Sequence, residues 1–340
     1  MTDSKLKEAM FYEKLEGNLV HCYLCSHHCR ISDGKRGICG VRENIGGTLC
    51  TLVYGKLIAS AVDPVEKKPL FHFLPGSSAY SVATVGCNFR CLNCQNYDIS
   101  QMPKPQKPIL GEYVTPQEIV EAAKAYHCES IAYTYNEPTV FFEYVYDIAK
   151  LARKEGLKNI FVSNGYPTED ALRVMAPYLD ADNIDLKSFS DDFYRNTCGA
   201  RLEPVLNAIR LHKELGVWVE ITTLVIPSLN DSEDNFKKIA EFLKDLDPGI
   251  PWHVSRFHPD YKLLNLPPTP IETLDRARKI GLKAGLKYVY QGNVPGEGEN
   301  TNCPKCGKTL ITRRGYEVIR FDVGNGKCPS CGTNIDGVWK

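Results

Sequence analysis

From Ser81 onward, apolar strand-like runs alternate with helical patterns, and this rhythm narrows the available folds more than any other feature of the chain. The runs are 81–85, 131–134, 159–163, 183–187, 218–225, 252–257 and 287–290. Thr115-Pro116-Gln117-Glu118 carries a cap, a first-position proline and a reaching carboxylate in the order that starts a helix, and Thr269-Pro270-Ile271-Glu272 repeats the device. Between two of the strands, Phe141, Tyr144, Val145, Ile148 and Ala152 recur at helical spacing, which marks a buried helix face. Such alternation demands right-handed parallel units, and about six full units fit, fewer than the eight of a closed barrel. The expected fold is α/β, a partial (β/α)6 TIM-like barrel.

The flanks have a different texture. Residues 1–75 are short-patterned and cysteine-rich, with a run from Thr48 to Val62 around Gly55 that reads as a hairpin. Residues 76–297 carry the barrel, and residues 298–340 form a Gly-rich module with paired cysteines. The hydrophobic share is 43% and the charged share 24%, which excludes disordered and collagen-like classes. Lys+Arg and Asp+Glu are 41 each, so the chain as a whole exerts no strong pull on nucleic acid or anionic membrane. No apolar run reaches the ~18–20 residues of a membrane span, and the polar first residues lack a signal-peptide core. The sequence therefore reads as cytoplasmic.

In a parallel barrel the chemistry sits where strands end. Here the first strand runs into Cys87-x3-Cys91-x2-Cys94, the second into Tyr135, Asn136 and Glu137, and the third into Ser163, Asn164 and Gly165. The fourth ends in Asp185, Leu186 and Lys187, the fifth contains Thr222 and Thr223, and His258 follows the sixth. Three thiolates in one short loop suit a cubane iron–sulfur cluster and leave one iron without a protein ligand, a vacant corner where a substrate binds. Zinc would want a fourth ligand, which the local sequence does not offer.

The segments CNFRCLNCQN, YTYNEPT, VSNGY, DLKSF and RFHPDYK, with the cysteine-rich amino terminus, resemble the radical S-adenosylmethionine (SAM) enzymes. Over roughly residues 20–295 they are similar to the group containing the activating enzymes of pyruvate formate-lyase, and look most like the radical SAM members of the AmmeMemoRadiSam system. The resemblance implies a [4Fe-4S] cluster on Cys87, Cys91 and Cys94 whose fourth iron chelates SAM. One electron then splits the sulfonium into methionine and a 5′-deoxyadenosyl radical that abstracts a hydrogen atom. It further implies that Glu137 binds the methionine ammonium, that Ser163, Asn164 and Gly165 lie by the ribose or a nearby cation, and that Asp185, Lys187 and His258 lie by the methionyl carboxylate. The charges agree independently, since a zwitterion needs one carboxylate and one cation. Plainer readings stay open: Asp185 with Lys187 as a strand-end ion pair, His258 as a structural histidine, Asn164-Gly165 as a turn. Many family members place an aromatic residue on adenine just before the third cysteine. This chain has Asn93 there.

Fourteen cysteines are far more than such a loop needs. Cys303-x2-Cys306 and Cys328-x2-Cys331, each pair followed by a glycine, resemble a zinc ribbon whose metal supplies the folding free energy of a coreless module. Cys22, Cys25, Cys29 and Cys39 suggest a second closed site for either zinc or an auxiliary iron–sulfur cluster, in which His21, His27 or His28 could replace a thiolate. Cys50, Cys128 and Cys198 stand alone and read as buried thiols.

The expected function is radical SAM chemistry directed at a protein, as in glycyl-radical activation, fed by an electron donor such as flavodoxin or ferredoxin. The alternatives are radical modification of a nucleic acid or small molecule, and a metal-stabilised scaffold without catalysis. A scaffold has no need of Glu137 or Lys187 at strand ends.

Overall fold

The computed structural model describes residues 6–104 and 106–339. Its centre is an eight-stranded sheet: β1 (Ala59–Pro64), β2 (Ser78–Ala83), β3 (Ser130–Tyr133), β4 (Lys158–Ser163), β5 (Ala181–Asp185), β6 (Trp218–Val225), β7 (Trp252–Arg256) and β8 (Val289–Gly292). Strands β2 to β8 are parallel and neighbour one another in chain order, while β1 lies antiparallel on β2. Each parallel step needs a crossover, and helices α1 (Pro116–Ala125), α2 (Phe142–Lys154), α3 (Glu169–Met175), α4 (Leu202–Glu214), α5 (Glu233–Leu246) and α6 (Ile271–Ala284) supply them. The parallel strands β2 to β8 are mostly buried on both faces, polar residues such as Asp182 and Asn183 included.

All seven expected parallel strands form, and the Thr115 capping box is made in full. Two local expectations fail. The stretch Thr48 to Val62 is no hairpin: Thr48–Thr51 pairs with Arg42–Ile45 and Lys7–Glu8, whereas β1 joins the central sheet. The apolar edge of β2 offers a longer ladder than the adjacent strand does. Thr269 caps nothing either. Its hydroxyl donates to the Val225 carbonyl at 2.6 Å and accepts from the Phe257 N–H at 2.9 Å, so α6 begins on Pro270 without a side-chain cap.

Strands β9 (Thr301–Asn302), β10 (Thr309–Arg314) and β11 (Glu317–Phe321) form a separate antiparallel sheet. It is docked rather than tethered. Arg313 is buried, lies over the Phe71 ring at 4.1 Å, and donates to the carbonyls of Phe71 and Glu299 and to the Thr301 hydroxyl. Thr301 in turn meets the Tyr290 hydroxyl of β8 at 2.8 Å, and Glu66, just past β1, lies 3.6 Å from the Arg313 guanidinium. The module thus touches the two edges of the sheet, β8 and the segment after β1. These edges do not pair with each other.

Candidate active site

The loop after β2 is fixed by backbone contacts from several elements. The Gly86 N–H donates to Ile99, the Arg90 N–H to Cys198 and the Leu92 N–H to Thr197, at 2.8–3.0 Å. The Asn136 amide donates to the Gly86 carbonyl at 2.8 Å, and the Lys104 ammonium donates to the carbonyls of Cys87 (2.6 Å) and Phe89 (3.0 Å). Gly86 has φ +99°, and a Cβ there would sit 2.6 Å from Val41, so only glycine lets the loop approach the amino-terminal region this closely.

The loop forms one wall of a cavity of about 540 Å³ at the carboxyl ends of the strands. Cys87, Cys91, Cys94, Glu137, Ser163, Asn164, Asp185 and Lys187 all line it. Gly165 and His258 do not. Gly165 (φ +66°) packs its backbone against Ile184, and His258 stands on the rim with its Nε2 2.8 Å from the amide of Gln95, which lines the cavity.

Glu137 is buried, and each carboxylate oxygen is already held. One accepts from the Thr139 N–H (3.0 Å) and hydroxyl (2.6 Å), the other from the Asn164 N–H at 2.8 Å. Burial raises its pKa to about 7 against these stabilising bonds. A carboxylate accepts from an amino group and a carboxylic acid accepts poorly, so a ligand whose amino group docks on Glu137 binds more weakly once Glu137 is protonated. For SAM, affinity is expected to fall as the pH drops from about 7 to about 5.5. Calorimetric titration checks this, with Glu137→Gln weakening binding and removing this residue's share of the pH dependence. Asp185 and Lys187 form an ion pair at 2.7 Å that faces the same cavity. Burial disfavours the Lys187 charge, but Asp185 and the Cys91 and Cys198 sulfurs hold its pKa well above the ordinary value.

The residues present fit an iron–sulfur cluster with a polar organic ligand. Buried side-chain atoms of Asn88, Asn93, Asn136 and Asn164 have no hydrogen-bond partner within the chain, and the last three residues line the cavity. Such orphaned groups call for a ligand or water. Burial pushes the Cys87 and Cys94 thiols up, and contact with the Cys198 thiol together with burial pushes Cys91 well up. Metal binding displaces protons from such thiols. Phe89 is buried edge-on to Tyr166 at 5.0 Å while also lining the cavity.

Several cavity residues escaped the sequence reading. Lys68 is buried beside Asp63 (2.6 Å), which also accepts from Ser81 and Tyr135, and burial lowers the lysine pKa to about 8. Glu66 and Glu299 line the wall, and one Glu66 oxygen is buried without a partner. Gly315 and Tyr316, the turn between β10 and β11, complete it. A Lys-Lys pair after a strand was the available signal for Lys68; the others are brought in by packing across the chain.

The other two cysteine groups differ in how closely their sulfurs approach. In the docked module, Cys303 and Cys331 sulfurs are 3.6 Å apart, and those of Cys306 and Cys328 are 3.7 Å apart. A tetrahedral ion with ~2.3 Å metal–sulfur bonds has edges of roughly 3.8 Å. All four sulfurs lie within 4.8 Å of one another, so the group can hold a single metal ion. Cys22, Cys25, Cys29 and Cys39 instead line a second, smaller cavity.

Comparison with known proteins agrees with this arrangement. Residues 81–243 match the radical SAM superfamily. An uncharacterised protein of Methanocaldococcus jannaschii is 51% identical over 335 residues, covering 97% of this chain and 99% of its own. Pyruvate formate-lyase-activating enzyme of Clostridium pasteurianum is 25% identical over 223 residues, covering 61% of this chain and 89% of its own. A radical SAM methyltransferase from Sphaerobacter thermophilus shares the fold, with a TM-score of 0.51 at 16% identity over 70% of this chain and 71% of its own. With its three-cysteine loop at the carboxyl end of a parallel sheet, the chain belongs to the radical SAM superfamily and is an enzyme related to the activating enzymes of pyruvate formate-lyase.

Proposed function

We propose that the enzyme binds a [4Fe-4S] cluster on Cys87, Cys91 and Cys94, and SAM across the cavity, to abstract a hydrogen atom from a protein. When bound, the cluster supplies the electron that splits SAM into methionine and a 5′-deoxyadenosyl radical. The observation that carries the reading is the convergence of the three cysteines, Glu137 and Lys187 on one cavity. Glu137 receives the ligand amino group, and Lys187, already charge-balanced by Asp185, faces the carboxylate. Asn93 presents an unpartnered Oδ1 that accepts from the adenine amino group, in place of a stacking ring. Ser163 and Asn164, which line the same cavity, take the ribose in this reading.

A protein target is favoured by what surrounds the mouth. A cavity of about 540 Å³ is within the range of a single small-ligand site, so with SAM in place the target must be presented from outside. Beyond Tyr316, β11 is an edge strand with Ile319 and Phe321 exposed, a surface suited to an extended polypeptide. The relation to glycyl-radical activators points the same way. The four cysteines of the module suit zinc, the ion whose tetrathiolate edge the sulfur spacings match.

The test is to incubate the reduced enzyme and SAM with cell fractions from fully deuterated cultures, and to measure deuterium in the 5′-deoxyadenosine released. Label is expected from the protein fraction and should disappear after proteolysis. Label arising only from nucleic acid or small molecules would replace this reading with one of the alternatives.

A further inference from the structure

We infer that Cys22, Cys25, Cys29 and Cys39 hold a fully ligated auxiliary iron–sulfur cluster that hands electrons to the core site. The electron-transfer half rests on the function proposed above; the cluster itself does not. Three features separate this group from the ribbon-like one. Its sulfurs are spread around a cavity, and among the described residues only the carboxyl-terminal group brings its sulfurs within 4.8 Å of one another. One zinc ion cannot reach four sulfurs so dispersed, whereas a cubane places an iron at each corner. The remaining walls are largely apolar, with Leu24, Ile31, Ile38 and Val140 excluding water and substrate.

Every sulfur also has a donor aimed at it. The Arg42 Nη1 is 3.3 Å from Cys22, and the backbone N–H groups of His27, Ile38 and Val41 serve Cys25, Cys29 and Cys39. Hydrogen bonds to sulfur tune iron–sulfur potentials, and a buried arginine favours the more negative, reduced state. Arg42 is held there by an ion pair with the buried Glu143. Gly37 leaves room at this spot, since a Cβ would come within 3.7 Å of the Cys29 sulfur.

The two sites share walls. The turn Pro138–Phe141 sends Thr139 to Glu137 on one side, while Thr139 and Val140 line the amino-terminal cavity on the other. A Cβ on Gly86 would sit 3.0 Å from the Cys39 carbonyl, and Gly86 precedes Cys87 directly. The His27 ring meets the Asn88 carbonyl at 2.9 Å. The Lys104 ammonium, bound to the Cys87 carbonyl, acts electrostatically on the sulfurs of both Cys87 and Cys39. With four cysteine ligands the auxiliary cluster has no vacant corner for substrate, and electron transfer is the role left to it. The balance is simple. A one-electron protein donor of the flavodoxin or ferredoxin class reduces the auxiliary cluster; it returns to its oxidised form as the core cluster gains that electron. No bond or proton changes partner.

The test begins with the full chain carrying Cys87→Ala, Cys91→Ala and Cys94→Ala together, and with the single variant Cys91→Ser as a milder second form. After anaerobic reconstitution, both are expected to retain about four irons per chain at the amino-terminal site and a paramagnetic signal on reduction. Adding Cys25→Ala and Cys39→Ala to the triple variant should remove that iron and signal. Iron-free protein with zinc in the amino-terminal site would overturn the cluster, whatever the state of the core chemistry. For the relay, Cys25→Ala and Cys39→Ala in an otherwise native chain should slow reduction of the core site by flavodoxin about tenfold or more, read by freeze-quench spectroscopy, with dithionite still reducing it. An unchanged rate with flavodoxin would refute the relay.

Discussion

Replacing Cys91 by alanine is expected to abolish reductive cleavage of SAM, bringing 5′-deoxyadenosine down to the enzyme-free blank. The loss should be complete because the loop offers three sulfurs and no spare. Cys198, the nearest other thiol, sits behind Cys91, where its backbone carbonyl already receives the Arg90 N–H. Reconstituted protein should lose the core site's share of visible absorption while keeping its thermal stability within about 1 kcal/mol, since Cys91 is only half-buried and the loop is held by backbone contacts. Liquid chromatography of quenched reactions and thermal unfolding read the two effects. Residual turnover above the blank would exclude Cys91 from the ligand set.

Removing the carboxyl-terminal metal should have the second largest effect, of a different kind. Cys306 is exposed and far from the cavity, yet Cys306→Ala breaks the only tight four-sulfur group among the described residues. A metal-dependent module loses most of its folding free energy with its ion, roughly 4–5 kcal/mol or more. The melting temperature of the docked unit should drop by on the order of 10 °C. Because Arg313, Glu299, Gly315 and Tyr316 all belong to that module or its docking seam, activity on the target should fall further than cleavage of SAM alone. Comparing the two rates in one preparation checks this. Equal losses in both would mean that the module serves stability only.

Much of this was legible in the chain because it was local. The seven parallel strands alternate with helical patterns along the chain, and the cysteine triplet, Glu137 and the Asp185–Lys187 pair stand at strand ends, which brings them to one rim. What was hidden depends on partners distant in sequence. Nothing near Ala59–Pro64 announces that it will choose β2 over Thr48–Thr51. Thr269 carries every mark of a cap, but the Phe257 N–H takes the place of the α6 backbone donors on its hydroxyl oxygen. Arg313 looks like surface charge until Phe71 and Glu66, more than two hundred residues earlier, are packed around it. His258 was placed by its position after a strand, yet it stops at the rim with Gln95. The ion-pair reading of Asp185 with Lys187 holds, and the pair also lines the cavity.

The bridging of β8 and the segment after β1 by β9 and β10 has a bearing on order in time. Residues 301–314 leave the ribosome after the whole parallel sheet, so for that interval the nascent cavity has an open flank. Docking of Arg313 on Phe71 and of Thr301 on Tyr290 covers that flank only once the last module is in place, so the mouth of the cavity takes its final form at the very end of synthesis.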